Sequence, residues 1–206
     1  MIRISGKFFI TTPIFYVNDV PHIGHAYTCI VADTVARWHR LRGEEVYFLT
    51  GTDENSVKTV QGAKKHGYAD IKKYTDVMAE RWKETWKILG ISYDDFIRTT
   101  EERHRKTVER FFLKVYQKGD IYKGRYEGLY CEGCETYLTE SELENGLCPV
   151  HKKPPKRIVE ENYFFKLSRY EKKLLEYIEK NPDFVQPETR KNEVISFIKS
   201  GLRDIS

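Results

Sequence analysis

Residues 7–25 read Lys7-Phe8-Phe9-Ile10-Thr11-Thr12-Pro13-Ile14-Phe15-Tyr16-Val17-Asn18-Asp19-Val20-Pro21-His22-Ile23-Gly24-His25. The apolar, β-rich run over 7–12 stops at Pro13, the pattern of a buried strand that feeds a loop. That loop, 13–21, delivers the chain to 24–41, where Ala26, Ile30, Val31, Thr34, Val35 and Trp38 recur at helical spacing before Gly43 closes the helix. A second β-rich run over 45–50 follows at once. A strand that arrives directly after an amphipathic helix implies parallel pairing through a crossover, so the stretch sets an α/β fold. Gly51-Thr52-Asp53-Glu54 then falls at the carboxyl end of a strand, where open α/β sheets bind ligands.

Farther along, 56–66 reads as a short helix closed by Gly67. Asp70 caps a longer helix whose Ile71, Tyr74, Met78, Trp82, Trp86 and Leu89 repeat every three or four residues, a stripe expected to be core. A third strand is expected over 95–99. Thr99 with Glu102 suggests a capping box for a helix with the apolar face Phe111, Phe112, Val115 and Tyr116. At Gly119 the texture changes. Tyr122, Tyr126 and Tyr130 alternate with Gly124 and Gly128, which predicts hairpins. Tyr163-Phe164-Phe165 reads as a strand, and Ser168 with Glu171 as a second capping box. Its helix carries Leu174, Leu175 and Ile178 and breaks at Asn181-Pro182; a last helix covers 188–199. The module boundary expected from this reading separates 1–118 from 119–206.

The 206 residues are 40% hydrophobic and 14% aromatic, enough apolar material for a packed core of one large or two small domains. No run approaches the length of a membrane span, and the first ten residues are too short and mixed for a secretion signal, so a soluble, intracellular protein is expected. The formal net charge of +4 permits a phosphate-bearing partner but is far from the basic stripe of a dedicated nucleic-acid binder.

Cys131-Glu132-Gly133-Cys134 is a C-x2-C knuckle and Cys148-Pro149-Val150-His151 a C-x2-H, with 13 residues between them. That spacing suits a tetrahedral structural zinc held by Cys131, Cys134, Cys148 and His151. Two disulfides fail as a rival, because the remaining cysteine, Cys29, sits in the first helix and reads as a small buried hydrophobe. Four protein ligands leave no open position, so the metal is expected to hold the fold and do no chemistry. Lys152, Lys153, Lys156 and Arg157 form a basic run beside it that reads as a solvated loop or a phosphate contact.

His22 and His25, three apart on the first turn of a helix, project to one side, and Gly24 leaves room for a flat ring against the backbone. Imidazoles there can donate hydrogen bonds to charge developing on a phosphoryl group, beside the positive end of the helix. An isolated H-x-x-H reads more readily as a pair of surface or capping histidines, since such short matches are common.

Context decides between them. Thr11-Thr12-Pro13-Ile14-Phe15-Tyr16-Val17-Asn18, His22-Ile23-Gly24-His25 and Phe48-Leu49-Thr50-Gly51-Thr52-Asp53-Glu54 together resemble the bacterial methionyl-tRNA synthetase family, and the resemblance runs through Gly201-Leu202-Arg203-Asp204-Ile205-Ser206. H-I-G-H marks class I aminoacyl-tRNA synthetases in general; the flanking segments point to methionine. The resemblance implies the first half of a Rossmann-type catalytic domain (a doubly wound parallel sheet) with a zinc-knuckle connective insert. It implies ATP contacts and catalytic roles for His22 and His25, room for adenine at Gly24, methionine contacts from Pro13, Ile14 and Tyr16, and an ammonium contact at Asp53. Asp53 alone also reads as a helix cap. Where the family usually has D-E-H-G, this chain has Asp53-Glu54-Asn55-Ser56, so no titrating side chain stands at Asn55.

The activity implied is that of methionine–tRNA ligase, with ATP accompanied by Mg2+, L-methionine and tRNA(Met) as partners, in the cytoplasm. Nothing matches the family's W-I-D-A or K-M-S-K-S segments, and 206 residues cannot also hold an anticodon reader. The expectation is an N-terminal fragment, inactive alone, whose other half lies in a longer chain or a separate subunit. The alternatives are an inactive zinc-stabilised binding module and another class I synthetase.

Overall fold

The computed structural model describes residues 6–134 and 136–206, the side chains of 126, 127, 141 and 160 excepted; residues 1–5 of the opening segment lie outside it. The chain divides into two compact units, Met1–Glu109 and Arg110–Ser206.

The first unit is built on parallel strands. β1 (Lys7–Thr11) pairs with Glu45–Leu49 of β3 (Glu45–Asp53), and β2 (Phe15–Tyr16) pairs with Thr52 and Asp53 of the same strand. β4 (Asp95–Arg98) lies along the other edge of β3. β1 and β2 are therefore one strand line interrupted at Thr12-Pro13-Ile14, where proline has no N–H to give the ladder. The sequence reading treats all of 13–21 as loop and misses β2, because two residues leave no periodicity to detect. Thr12 bridges the break: its N–H donates to the Leu49 carbonyl, and its hydroxyl lies 2.7 Å from that of Thr50.

Helix α1 (Ile23–Leu41) connects β2 to β3. Its buried positions are Cys29, Ala32, Asp33 and Ala36. This corrects the sequence reading of its face, since Ile30, Val31 and Trp38 stay about half exposed and Ile23 and Leu41 more so. Small side chains let the helix lie close on the sheet, which turns the bulky apolar ones outward. α2 (Val57–Lys65) and α3 (Ile71–Ile88) follow, and Tyr74, Met78, Trp82 and Trp86 of α3 join Phe15, Phe48 and Phe96 in one core. Ile71 and Leu89, at the ends of the expected stripe, are substantially exposed. Asp70 caps α3 as expected, accepting from the N–H groups of Lys72 and Lys73.

Asp33 is a charged side chain buried beside this core. It accepts hydrogen bonds from the Ser92 N–H at 2.8 Å, the Ser92 hydroxyl and Arg37. Burial disfavours its charge, but these donors outweigh it and hold the carboxyl below the usual range. A depressed folded-state pKa gives stability that is present above the unfolded value of about 3.9 and is lost as pH falls through the lower folded value. Thermal unfolding followed against pH should therefore fall less steeply below about pH 4 in Asp33→Asn than in the parent chain.

Gly51 shows how tightly β3 and β4 pair. A Cβ there would stand 2.0 Å from the carbonyl oxygen of Ile97, its register partner. Gly51→Ala should lower stability by about 1–3 kcal/mol, read as a shift of the urea midpoint.

Helix α4 (Glu102–Gln117) lacks the expected capping box. Thr99 lies outside its first turn, and its hydroxyl accepts the Glu54 N–H instead. In the second unit, β5 (Ile121–Cys131) pairs antiparallel with both β6 (Thr136–Leu138) and β7 (Lys156–Phe165). β7 is longer than the expected aromatic strand and absorbs Lys156 and Arg157. Phe112 and Tyr116 meet Tyr163 of β7 edge-on, with ring centres 5.6 and 6.1 Å apart. α5 (Glu171–Lys180) and α6 (Glu188–Lys199) enclose a small core of Ile178, Ile198 and Leu202. Ser168 does not cap α5, since a short 3-10 turn intervenes and its hydroxyl donates to Asp204. No helix among the described residues is long and apolar enough to cross a membrane.

Candidate functional site

The candidate site lies where the strand line β1–β2 and strand β3 end. Tyr16 and Asp53 are register partners there, and α1 begins seven residues past Tyr16 with His22 as its N-cap. The two histidines cap each other's turn. Nδ1 of His22 accepts the Gly24 N–H at 3.1 Å, and Nδ1 of His25 accepts the His22 N–H at 3.2 Å. The rings stack with centres 3.7 Å apart.

This arrangement fixes chemistry. A nitrogen that accepts an amide proton uses its lone pair to do so, which leaves Nε2 of each ring as the donor. Burial, and after it the neighbouring His22 ring, hold the His25 imidazole below the 6.5 of a free histidine. Each ring thus offers an Nε2–H donor. The capping reading and the phosphate-donor reading are compatible, because each uses a different nitrogen. The helix start is not a row of free amides, since Gly24 and His22 give theirs to imidazoles.

Gly24 is tight against that pair. A Cβ on it would come 3.0 Å from His22 Cε1. Behind His25 stand Phe15 and Trp82, with ring centres 5.0 and 4.8 Å away, so α3 backs the histidine pair with aromatic surface. The loop leading into α1 is fastened too. Asp19 binds Lys65 at 2.6 Å, its carbonyl accepts Trp82 Nε1–H, and the absence of a side chain on Gly62 lets α2 approach Asn18.

Of the apolar residues expected beside the substrate, Pro13 and Ile14 are exposed and Tyr16 is half-buried. Lys58 Nζ stands 5.1 Å over the Tyr16 ring. Asp53 accepts the Asn55 N–H at 3.1 Å. Ser56, in the position of the family's glycine, caps α2 through Thr59 N–H, so the departure at Asn55-Ser56 builds a helix start.

The sequence reading misses the buried carboxylate next door. Glu54, with no exposed side-chain surface, accepts the fork of Arg98 at 2.6 and 3.0 Å and the hydroxyls of Thr52 and Thr100. Arg98 reaches on to Asp76 of α3 at 2.7 Å. Burial opposes the Arg98 charge, but the two carboxylates outweigh it and raise its pKa. An arginine closing a parallel strand beside two threonines, Arg98-Thr99-Thr100, was the available signal.

In the second unit, Cys131, Cys134, Cys148 and His151 bring one ligand atom each within 4.8 Å of one another. His151 Nδ1 lies 3.2 to 3.8 Å from the three sulfurs, and Cys134 and Cys148 are 3.5 Å apart. Tetrahedral zinc with ordinary bond lengths has ligand–ligand edges of about 3.5–3.8 Å. Gly133 admits the imidazole, because a Cβ there would stand 2.4 Å from His151 Cδ2. The backbone N–H of His151 draws the Cys148 thiol down to about 6, against the effect of burial, while the neighbouring Cys148 sulfur pushes Cys134 up to about 11. The donor set, spacing and shape all fit zinc. Two members of the basic run beside it are paired with carboxylates, Lys152 with Glu144 and Lys156 with Glu132. Cys29, fully buried with its thiol raised to about 11, is inert packing.

A parallel α/β unit whose first helix starts on paired imidazoles, followed by a cysteine knuckle, is the layout of a class I synthetase. The family described as "tRNA synthetases class I (M)" matches residues 8–159 and 140–206, and the chain belongs to it. Among its relatives, the methionine–tRNA ligase of Streptomyces coelicolor is 50% identical over 98% of this chain and 39% of its own length. That of Caldanaerobacter subterraneus is 52% identical over 96% of this chain and 31% of its own length. The methionyl-tRNA synthetase of Mycobacterium tuberculosis, solved in complex with methionyl-adenylate, superposes with a TM-score of 0.91 at 40% identity, covering 98% of this chain and 40% of that one. The chain thus spans about a third to two-fifths of the length of the proteins it matches.

Proposed function

We propose that this chain carries the H-I-G-H half of a methionine–tRNA ligase, with 1–118 as the first half of the Rossmann-type catalytic domain and 119–206 as its connective insert. The observation that carries the proposal is the pair of stacked imidazoles that cap a helix start, following the strand end where Tyr16 and Asp53 pair. Its substrates are ATP with Mg2+, L-methionine and tRNA(Met), in the cytoplasm.

In the first step a methionine carboxylate oxygen attacks the α-phosphorus of ATP, and the α–β bridging P–O bond breaks with its electrons leaving on pyrophosphate. The terminal hydroxyl of the tRNA then attacks the carbonyl, and AMP departs. His22 and His25 donate Nε2–H to phosphate oxygens as charge builds on them, and no side chain becomes a covalent partner. Gly24 keeps the backbone bare beside the adenine. Asp53 holds the substrate ammonium, while Pro13, Ile14 and Tyr16 supply the apolar wall that suits a thioether. A zinc ion on Cys131, Cys134, Cys148 and His151 would hold the insert together; zinc bound there has no free coordination position.

Methionine-dependent ATP–pyrophosphate exchange tests the reading, on the full-length gene product or on this chain complemented by the remaining half. Exchange with methionine and none with leucine, isoleucine or valine is expected. Absence of exchange with methionine would leave a binding module.

A further inference from the structure

We propose that Arg98, acting through Glu54 and Thr99, is a positioning residue that turns Asp53 toward the substrate ammonium group; the inference rests on the function proposed above. Side chains alternate along extended backbone, and Glu54, just past the end of β3, joins Thr52 on one side, so of the adjacent carboxylates Asp53 and Glu54 only one can face the site. Which one does so is decided by donors, because a carboxylate goes inside only where enough of them converge. Arg98 supplies two hydrogen bonds to Glu54, and Thr52 and Thr100 supply the others. The opposite face is left to Asp53.

The hold reaches Asp53 directly as well. The Thr99 hydroxyl accepts the Glu54 N–H at 2.9 Å and stands 3.5 Å from Asp53 Oδ1, while the Thr99 N–H extends the strand ladder to the Thr52 carbonyl. Arg98 also binds Asp76 on α3, the helix whose Trp82 backs His25. One guanidinium therefore ties the strand end bearing Asp53 to the helix behind the histidines. Removing it leaves Glu54 without its strongest partner, free to compete with Asp53 for the outward direction.

The test is exchange kinetics on the full-length protein with Arg98→Met, Arg98→Lys, Asp53→Asn and the double variant Asp53→Asn with Arg98→Met. Misaiming one anchoring group should raise the KM for methionine in Arg98→Met by about tenfold to a hundredfold and leave the KM for ATP within about twofold. Arg98→Lys, which keeps the charge and the fold but loses the two-pronged grip, should show a smaller rise of the same selectivity. With Asp53 already neutral, adding Arg98→Met should change the KM for methionine little, because the two act as a unit. Equal increases in both KM values, or multiplicative effects in the double variant, would overturn the assignment. No exchange in the parent protein would overturn the proposed function, and this inference with it.

Discussion

His25→Asn should lower kcat for pyrophosphate exchange by about 10²–10³-fold with little change in stability. Asparagine places an acceptor oxygen near the position of Nδ1, so it can still take the His22 N–H that His25 accepts at 3.2 Å. It has nothing at the position of Nε2, so the donor to the phosphoryl oxygens is gone. A loss confined to kcat is the mark of an interaction made in the transition state. His25→Ala removes both nitrogens and should add a capping loss of about 1 kcal/mol to the same kinetic defect. Kinetics and urea unfolding of the two variants, run side by side, separate the roles. If His25→Asn keeps the parent kcat, the imidazole is a cap and nothing more.

The second large effect is expected from the cysteine cluster. The purified chain should hold one zinc per molecule, and Cys134→Ser should reduce the content severely. With the metal stripped by a chelator, amide exchange should quicken along β6 and the part of β5 paired with it, Leu129–Cys131, because three cysteine sulfurs and an imidazole would otherwise crowd a core too small to stand alone. Protection in the parallel sheet of the first unit should stay. Gly133→Ala should weaken zinc retention without deleting any ligand, since the added methyl falls on the ring of His151. An unchanged metal content in both variants would move the ion elsewhere.

The residues that were legible in the sequence are those whose chemistry is local. The knuckle spacing from Cys131 to His151 named four ligands whose atoms do converge, and Asp70 caps the helix it precedes. The alternation of helix and strand gave the parallel pairing of β1 with β3 for the same reason. What stayed hidden depends on long-range choice. Thr99 and Ser168 each fit a capping pattern, yet both hydroxyls serve partners far away in the chain, Glu54 and Asp204. On α1 the largest apolar residues suggested the buried face, but a sheet rewards close approach, and Cys29, Ala32 and Ala36 achieve it. The Glu54–Arg98 pair joins residues 44 apart in sequence, a match that no local window contains.

The mutual capping of His22 and His25 also changes what a helix start can do for an anion. Ordinarily the partial positive charge of the first turn is delivered by amide hydrogens, fixed to the backbone and reaching only a ligand that touches it. Here two of those hydrogens end on imidazole nitrogens, and each polarises the N–H on the far side of its ring. The rings behave as short conductors that carry the helix's field outward by their own width. A site wired in this way can follow a phosphate chain as charge migrates along it.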